Sequence, residues 1–416
     1  MVVDLVEPGP TKWERCKSFI WTHHLPLGLV FAVLFGAVCP WPGEWVSDNT
    51  PAVTICIILI FFLQGAKLRT SEIKTALRSR ITIVLGIVMI LFVTPWMAPV
   101  MLEVPLDDSL MLGLAIFANM PTTISSGAVL TAHAQGNVAL ALAFSVLTNL
   151  ASVVTVPFVL AASANASSVD IDAGALTVKL VLTVLVPVVC GKLLTSFVEP
   201  AAQFMQTYAK PLKLLSNIAL ISIPWQKIST SADSFGDVSA GDFVGALFLG
   251  AAMHVVYLIV NSTAARLLIP LSCTSSRAEN WQWNPESKAF VILASQKTLS
   301  IALVVVSLLE DEQDNNKDDS KDTINFGIAS VSMIMAHMTQ IVIDAVVASY
   351  LARRGEVLNE ELVEDDENPP EFDSSSNEES PLTLSSPTDT ENNKPATAAQ
   401  VEIELDERGT GTTSDH

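Results

Sequence analysis

The stretch Asn119-Met-Pro-Thr-Thr-Ile-Ser-Ser-Gly127 places a proline and five polar residues in the middle of a long apolar segment, residues 109–133. A second polar stretch, Ser295-Gln-Lys-Thr-Leu-Ser300, interrupts the apolar segment 286–309 in the same way. Polar residues inside a membrane helix are costly and by default indicate a functional site. Pro121 also removes a backbone hydrogen bond and obstructs the helix. The two stretches therefore predict two broken helices whose polar breaks form a binding site at the membrane midplane.

Ten apolar segments approach the length of roughly 20 residues that a bilayer core of about 30 Å requires. Helices satisfy their own backbone hydrogen bonds, so each segment is expected to be a helix. The interrupted segments are the fourth and the ninth, which are corresponding places in two inverted halves of five, about 18–162 and 173–352. We predict an all-α integral membrane protein with ten transmembrane helices. The segments are approximately 18–38, 51–66, 80–101, 109–133, 137–162, 173–197, 210–226, 241–265, 286–309 and 324–352.

The composition agrees with a membrane protein. Half of the 416 residues are hydrophobic and only 16% are charged, against roughly 25% in a typical soluble domain. The chain has a net charge of −20. Most of it comes from residues 355–416, which contain 18 acidic and two basic residues, so the remainder is nearly neutral. This pattern excludes an ordinary soluble enzyme, a fibrous protein and a nucleic-acid binder. We predict an N-terminal cytoplasmic segment (1–17), a ten-helix domain (18–354) and a disordered acidic cytoplasmic tail (355–416).

The positive charges predict the orientation. With the N-terminus in the cytoplasm, 16 lysines and arginines lie in cytoplasmic regions near the membrane and three lie outside: Lys227, Lys317 and Lys321. This asymmetry places both termini in the cytoplasm. The sequon at Asn165 then falls in an outside loop and is a glycosylation candidate. The acidic loop 310–323 is either a solvated loop or a weak cation-gathering site.

Signatures of other protein classes are absent. The five cysteines indicate neither a disulfide framework nor a zinc site. The sequence has no Walker A, HExxH, G-x-S-x-G or kinase motif, and therefore no predicted catalytic residues, metal site or cofactor. An integral membrane protein without a motor is a secondary transporter, a channel or a membrane-embedded regulator.

Four segments carry the polar residues that we predict to line a solute or ion pathway. They lie in the fourth, fifth, ninth and tenth segments, and such residues default to a functional role. His254 stands alone in the eighth segment and is interpreted as a packed core residue. The candidates are Pro121, Thr122, Thr123, Ser125, Ser126, Ser145, Asn149, Ser295, Gln296, Lys297, Thr298, Ser300, His337, Gln340 and Asp344.

Lys297 is the most informative of these residues. It lies roughly 17 Å from the cytoplasmic start of its segment, and Asp344 lies roughly 14 Å from the same side. A central lysine costs about 3 kcal/mol in a membrane, so it needs a compensating environment. Two interpretations stay open: Lys297 takes the place of a cation or exchanges a proton, or it forms a fixed bridge with Asp344 that holds helices together.

Four stretches, residues 61–77, 120–137, 295–303 and 336–343, resemble the bile acid:sodium symporter superfamily. They are most similar to the branch of sodium/bile acid cotransporter 7 and the fungal regulator of calcium homeostasis. The matching features include Phe61-Phe62 with Gly65, Met120-Pro121 before Ser125-Ser126, Gln296-Lys297-Thr298-Leu299, and His337 with Gln340. The resemblance covers about residues 18–352.

The resemblance implies a panel domain and a core domain whose broken fourth and ninth helices cross. It places the sodium sites of the family at Ser126, Gly127, Ala141, Ser145 and residues 295–299. Gly127 and Ala141 offer no side-chain oxygen, which argues against the sodium coupling of classical members and more strongly against their bile acid transport. Coupling to sodium or protons is left open.

Three hypotheses follow. The first is a secondary transporter of a small, anionic solute. The second is a regulator that restrains calcium influx through a partner in the calcium-entry machinery without carrying solute, a role that the related branch implies. The third is a proton-coupled cation antiporter that uses Lys297 and Asp344. The branch implies the plasma membrane first and the Golgi or secretory pathway second.

Overall fold

A computed structural model of the chain describes Trp13 and residues 24–68, 79–123, 125–164, 171–269, 284–315 and 324–367. Within these ranges every regular element is helical. The α-helices are α1 (His24–Val38), α2 (Trp41–Asn49), α3 (Ala52–Lys67), α4 (Arg80–Val88), α5 (Met97–Leu102), α6 (Asp108–Ala118), α7 (Ser125–His133), α8 (Val138–Ala164), α9 (Ala173–Leu180), α10 (Val186–Phe197), α11 (Glu199–Thr207), α12 (Ala209–Thr230), α13 (Ala240–Leu268), α14 (Pro285–Ser295), α15 (Leu299–Asn315) and α16 (Phe326–Glu367).

Shorter helical turns join some of these helices. A π-helical turn (Met89–Val93) and a 3₁₀ turn (Thr94–Trp96) connect α4 to α5. A second π-helical turn, Val181–Leu185, connects α9 to α10. The 3₁₀ turn Ala232–Gly236 follows α12.

Six helical stretches among the described residues are long and apolar enough to cross a membrane, or seven if the bent pair α1 and α2 forms one span. They are Arg80–Leu102, Val138–Ser163, Ala173–Phe197, Ala240–Leu268, Pro285–Gln313 and Phe326–Arg353. The described part of the chain is therefore all-helical and multi-pass, but fewer than the predicted ten helices in it meet the criteria of length and apolar composition. The break in segment 109–133 leaves α6 too short, and α3 has only 16 residues.

Polar side chains determine where many helices begin. The Asp107 carboxylate accepts the Leu110 amide at 3.0 Å at the start of α6. Asn284 accepts the Ser287 amide at 2.7 Å before α14, and Asn325 accepts the Ile328 amide at 3.1 Å before α16. Each cap satisfies a backbone N–H that has no partner within its own helix. These caps fix the starts of the helices that surround the breaks.

The second interrupted segment is the most enclosed part of the bundle. The candidate span Pro285–Gln313 is buried throughout its most apolar window, whereas other candidate spans are half-buried or less. Large apolar side chains such as Phe31, Phe197 and Phe248 are more than 60% exposed on the periphery. Such a surface suits lipid contact and is too apolar for water. The polar break of this segment therefore lies inside protein.

Three sequence expectations differ from the structure at helix ends. Helix α12 continues to Thr230, so Lys227 is 7% exposed within a helix instead of lying in a loop. Residues 310–315 extend α15, and the rest of the acidic loop, 316–323, lies outside the described residues. Helix α16 runs to Glu367, so residues 355–367 are helical and only 368–416 lie outside the described residues.

These extensions bring lysines and glutamates together at one end of the bundle. The Lys227 ammonium pairs with the Glu310 carboxylate. Lys179 Nζ lies 3.2 Å from Glu312 Oε2. Both pairs join α15 to neighbouring helices, α12 in the first case and α9 in the second. Lys179 therefore has a structural role, with the Glu312 carboxylate as its partner.

Helices α3 and α10 cross so closely that glycine is required at the crossing. A Cβ atom on Gly65 would overlap the backbone of Val188, and one on Gly191 would overlap the backbone of Phe62. Backbone atoms cannot move aside as the end of a flexible side chain can. The crossing therefore depends on small residues, as membrane helix contacts often do.

We predict that Gly65→Ala destabilises the protein by about 1–3 kcal/mol, because the added methyl group forces the two backbones apart. Thermal unfolding of the purified protein in detergent measures the effect. Gly236→Ala is the matched control, since a Cβ there would meet no atom within 4 Å. Equal stability of the two variants would contradict the close crossing.

Candidate functional site

The two helix breaks are in direct contact. Helix α6 ends at Ala118 and α7 begins at Ser125, while α14 ends at Ser295 and α15 begins at Leu299. Between them the Thr298 amide donates a hydrogen bond of 2.8 Å to the Pro121 carbonyl. The non-helical backbone of one break is thus joined to that of the other, which makes a single polar centre.

Side chains from α8 satisfy backbone carbonyls of the first break. Ser145 Oγ donates to the Thr123 carbonyl at 2.7 Å, and Asn149 Nδ2 donates to the Thr122 carbonyl at 2.8 Å. Both groups are buried, where an unpaired carbonyl would be costly. The polar residues predicted on the fifth segment therefore hold the first break in place.

One side chain on α16 does the same for the second break. Gln340 Oε1 accepts the Lys297 amide at 2.8 Å, and Gln340 Nε2 donates to the Lys297 carbonyl at 3.1 Å. The carboxamide replaces both hydrogen bonds that this residue would make in a continuous helix. Ser295, just before the break, accepts a hydrogen bond from Asn261 Nδ2 at 3.1 Å.

The Lys297 side chain is fully buried and bound by oxygen atoms. Its Nζ donates to Thr94 Oγ1 at 2.7 Å, to the Met120 carbonyl at 2.8 Å and to the Ile90 carbonyl at 3.1 Å. The Tyr257 ring centroid lies 5.5 Å from Nζ, a distance at which a cation is attracted to the ring. All three ammonium hydrogens therefore have oxygen partners.

The bridge between Lys297 and Asp344, one of the two interpretations that the sequence leaves open, is not formed. Asp344 Oδ1 lies 2.8 Å from His254 Nε2, and Asp344 Oδ2 accepts from Gln296 Nε2 at 2.7 Å. The two residues have similar depths, but depth along an axis does not fix the direction in which a side chain points. His254, predicted to be an isolated core residue, is instead the partner of this carboxylate.

A chain of hydrogen bonds leads from this buried carboxylate to the first break. Gln296 binds Asp344 through its nitrogen and accepts from Thr123 Oγ1 at 2.7 Å through its oxygen. Thr123 Oγ1 in turn accepts from Ser126 Oγ at 2.9 Å and from the Gly127 amide at 3.0 Å. The arrangement links α13, α16 and both breaks into one network.

A cavity of about 380 Å³ lies beside the joined breaks. Its polar wall near the breaks is formed by Thr123, Ser126, Asn149, Thr298, Ser300 and His337. Its other walls come from α1, α3, α12 and the π-helical turn after α9, and they are mostly apolar. Lys67 and Lys213 also line the cavity. Both lie near ends of membrane segments that are predicted to face the cytoplasm. The volume suits a small organic molecule.

The predicted site residues thus divide between two roles. Six line the cavity, as given above. Pro121, Thr122, Ser145, Ser295, Gln296, Lys297, Gln340 and Asp344 build the hydrogen-bonded support behind it. The Ser125 side chain and Asn165 lie outside the described residues, so the glycosylation site stays a prediction.

Sequence reasoning missed two ligands of the lysine in the third segment. Thr94 precedes Pro95, which has no N–H to donate, and the π-helical turn would otherwise direct that N–H at the Ile90 carbonyl. The carbonyl is therefore free to accept from Thr94 Oγ1 at 3.0 Å as well as from Lys297. A Thr-Pro pair inside an apolar segment was the signal that pointed to this site.

Two of the positions that the resemblance assigns to sodium have no side-chain oxygen to offer an ion. Ala141 is fully buried and has no oxygen on its side chain. Gly127 has no side-chain oxygen, and its N–H is donated to Thr123 Oγ1. In the described ranges, no group of three or more His, Cys, Asp or Glu residues is placed to hold a metal ion.

Comparison with known proteins identifies relatives for most of the chain. The model of the SBF-like CPA transporter family matches residues 23–353. The chain is 31% identical to the probable sodium/metabolite cotransporter BASS4, chloroplastic, of Arabidopsis thaliana, over 82% of this chain and 75% of that protein. It is 28% identical to the protein of the same name from Oryza sativa subsp. japonica, over 81% and 77% of the two chains. Sodium/bile acid cotransporter 7 of Danio rerio is 22% identical over 77% of this chain and 90% of its own length.

We predict that His254 and Asp344 are energetically coupled by about 1–3 kcal/mol, because they contact each other in a buried site. A double-mutant cycle with His254→Gln and Asp344→Asn, measured as free energies of unfolding in mixed micelles, tests this. The matched cycle with Lys297→Met and Asp344→Asn should give a smaller coupling. A larger coupling in the second cycle would restore the lysine–aspartate bridge.

Proposed function

Because this chain belongs to the SBF-like CPA transporter family, we propose that it is a secondary transporter that carries a small solute through the cavity beside the joined breaks. The observation that carries the proposal is the composition of the cavity wall. One side is built from the two breaks and the other from α1, α3 and α12. A solute held there touches both groups of helices, so their relative movement would expose it to either side of the membrane.

Two residues that line the cavity carry buried polar atoms without a hydrogen-bond partner. Asn149 Oδ1 and His337 Nδ1 are buried and, in the described part of the chain, have no hydrogen-bond partner. Both residues line the cavity. Buried polar groups without partners are rare in folded proteins and call for an explanation. A bound solute that donates or accepts hydrogen bonds at these two atoms supplies one.

The charges around the cavity favour an anion. Lys67 and Lys213 line it, and no carboxylate does so among the described residues. The remaining surface is mainly apolar, with side chains such as Phe61 and Leu220. This combination supports a small organic anion with an apolar part, held by hydrogen bonds near the breaks and by positive charge at the other end.

The finer architecture is part of the proposal. We infer ten transmembrane helices in two inverted repeats within residues 18–354, with both termini cytoplasmic and residues 355–416 as an acidic tail. The matching breaks after α6 and α14 support the repeats, and the 16:3 distribution of positive charges supports the orientation. The plasma membrane, or otherwise the secretory pathway, stays the predicted location. The word chloroplastic describes the plant relatives alone.

A role in restraining calcium influx stays a prediction of the resemblance. If the role depends on transport, cells lacking the protein should regain restrained calcium entry with the wild type but not with Lys297→Ala at equal surface expression. Equal rescue by both would instead favour a regulator that acts through a partner. Cytosolic calcium imaging after store depletion measures the response.

We predict that Val146→Trp reduces uptake at least tenfold, because the indole fills the cavity that Val146 lines. Proteoliposomes are tested with labelled pyruvate, succinate and taurocholate, with choline and glycerol as cationic and neutral comparators. Val342→Trp is the matched control, since Val342 is 65% exposed on α16 and does not line the cavity.

Two further variants test the chemistry of the cavity. Thr298→Val removes a hydroxyl from its polar wall, and Lys213→Ala removes a charge from its other end; each should raise the KM for the anion. Thr263→Val and Lys210→Ala are exposed controls. Uptake of choline in preference to every anion would overturn the anionic specificity. Undiminished anion uptake by Val146→Trp would overturn the assignment of the cavity.

A further inference from the structure

We infer that the Lys297 ammonium occupies a built cation site, where it acts as a tethered positive charge in place of a free coupling ion. The inference rests on the proposed transport function and predicts that no free cation is required at this position. Relatives of this chain are named as sodium cotransporters, so a coupling sodium ion is the natural expectation. The groups around Lys297 give a physical reason why this chain needs no free sodium ion at this position.

The ligands of the ammonium are those of an alkali cation. Two backbone carbonyls, of Ile90 and Met120, and one hydroxyl, of Thr94, lie 2.7 to 3.1 Å from Nζ. Hard cations are bound by oxygen ligands of this kind, and unwound helix carbonyls coordinate sodium in secondary transporters. The face of the Tyr257 ring adds attraction for a positive charge without adding a negative one.

The three oxygens are held in place by features other than the lysine. Pro95 has no N–H, so its backbone cannot compete for the Ile90 carbonyl five residues earlier in the π-helical turn. Thr94 Oγ1 is fixed by hydrogen bonds to the Met89 and Ile90 carbonyls, at 3.1 and 3.0 Å. Met120 lies in the first break, which the contact between Thr298 and Pro121 stabilises. Removal of the lysine side chain should therefore leave a preformed site.

The site is suited to a single positive charge. The neighbouring carboxylate, Asp344, has both oxygens bound to His254 and Gln296. Among the described residues no carboxylate forms an ion pair with Lys297. A second cation beside the ammonium would meet repulsion in a region of low dielectric constant. The lysine therefore excludes a free ion from these three oxygens.

The test is ion-dependent stability of the full-length protein in detergent, which needs no knowledge of the solute. Thermal unfolding is compared in sodium chloride, methylammonium chloride and choline chloride at equal ionic strength. We expect the wild type to have the same Tm in all three salts. We expect Lys297→Ala to lose about 5 °C in choline, because buried oxygens lose their donor. Sodium or methylammonium should restore the loss in a saturable manner.

Matched variants separate a cation site from a general salt effect. Lys297→Met fills the space without charge and should lose stability with no response to sodium. Thr94→Val combined with Lys297→Ala removes one ligand and should weaken the sodium response at least fivefold. Lys288→Ala removes another buried lysine, 3% exposed, and should show no sodium-specific effect.

Specific results would overturn the inference. One is a wild type that sodium stabilises with the affinity found for Lys297→Ala. Another is a Lys297→Ala variant that neither sodium nor methylammonium stabilises, or that cannot be recovered in any of the three salts. Absence of solute uptake, by contrast, would overturn the proposed transport function and leave the ion measurements unchanged.

Discussion

The structure depends on one constraint, which is that backbone interrupted inside a membrane must still have its hydrogen bonds satisfied. Two helices are broken at the centre of the bundle, and each break exposes amides and carbonyls where no water is available. The solution is mutual: the breaks bond to each other, and carboxamides and hydroxyls on α8 and α16 complete the set. The polar residues of the centre are first of all structural, and the cavity lies on the surface that they create.

The same constraint explains the environment of Lys297. A buried ammonium needs three acceptors, and broken helices provide carbonyls that continuous helices do not. Two of its ligands, from Ile90 and Met120, come from such interruptions in different helices. The charge thus joins the third and fourth segments to the ninth without a carboxylate. Asp344 forms a separate pair with His254. The buried lysine and the buried aspartate are therefore stabilised in two different clusters.

Much of this arrangement was predictable from the sequence, because local chemistry dictates it. Pro121 and the polar residues around it indicated a break, and the Gln-Lys-Thr stretch indicated its counterpart. The partner of Lys297 was not predictable, since residue spacing gives depth but not the direction a side chain faces. The length criterion also fails where it matters most, because a broken helix such as α6 is too short to be recognised as a span. The ligand at Ile90 is a backbone carbonyl, which the sequence indicates only indirectly, through the Thr94-Pro95 pair.

The complete burial of residues 287–309, the apolar part of the span Pro285–Gln313, has a consequence for synthesis of the protein. This segment has no face suited to lipid, and it carries a charge that a lone helix in the bilayer would not tolerate. Its ligands at Ile90, Thr94 and Met120 all precede it in the chain, so they leave the ribosome first. The earlier helices therefore serve as a template into which the late segment inserts. Assembly is expected to be vectorial, and a fragment that begins after α8 should be retained by membrane quality control.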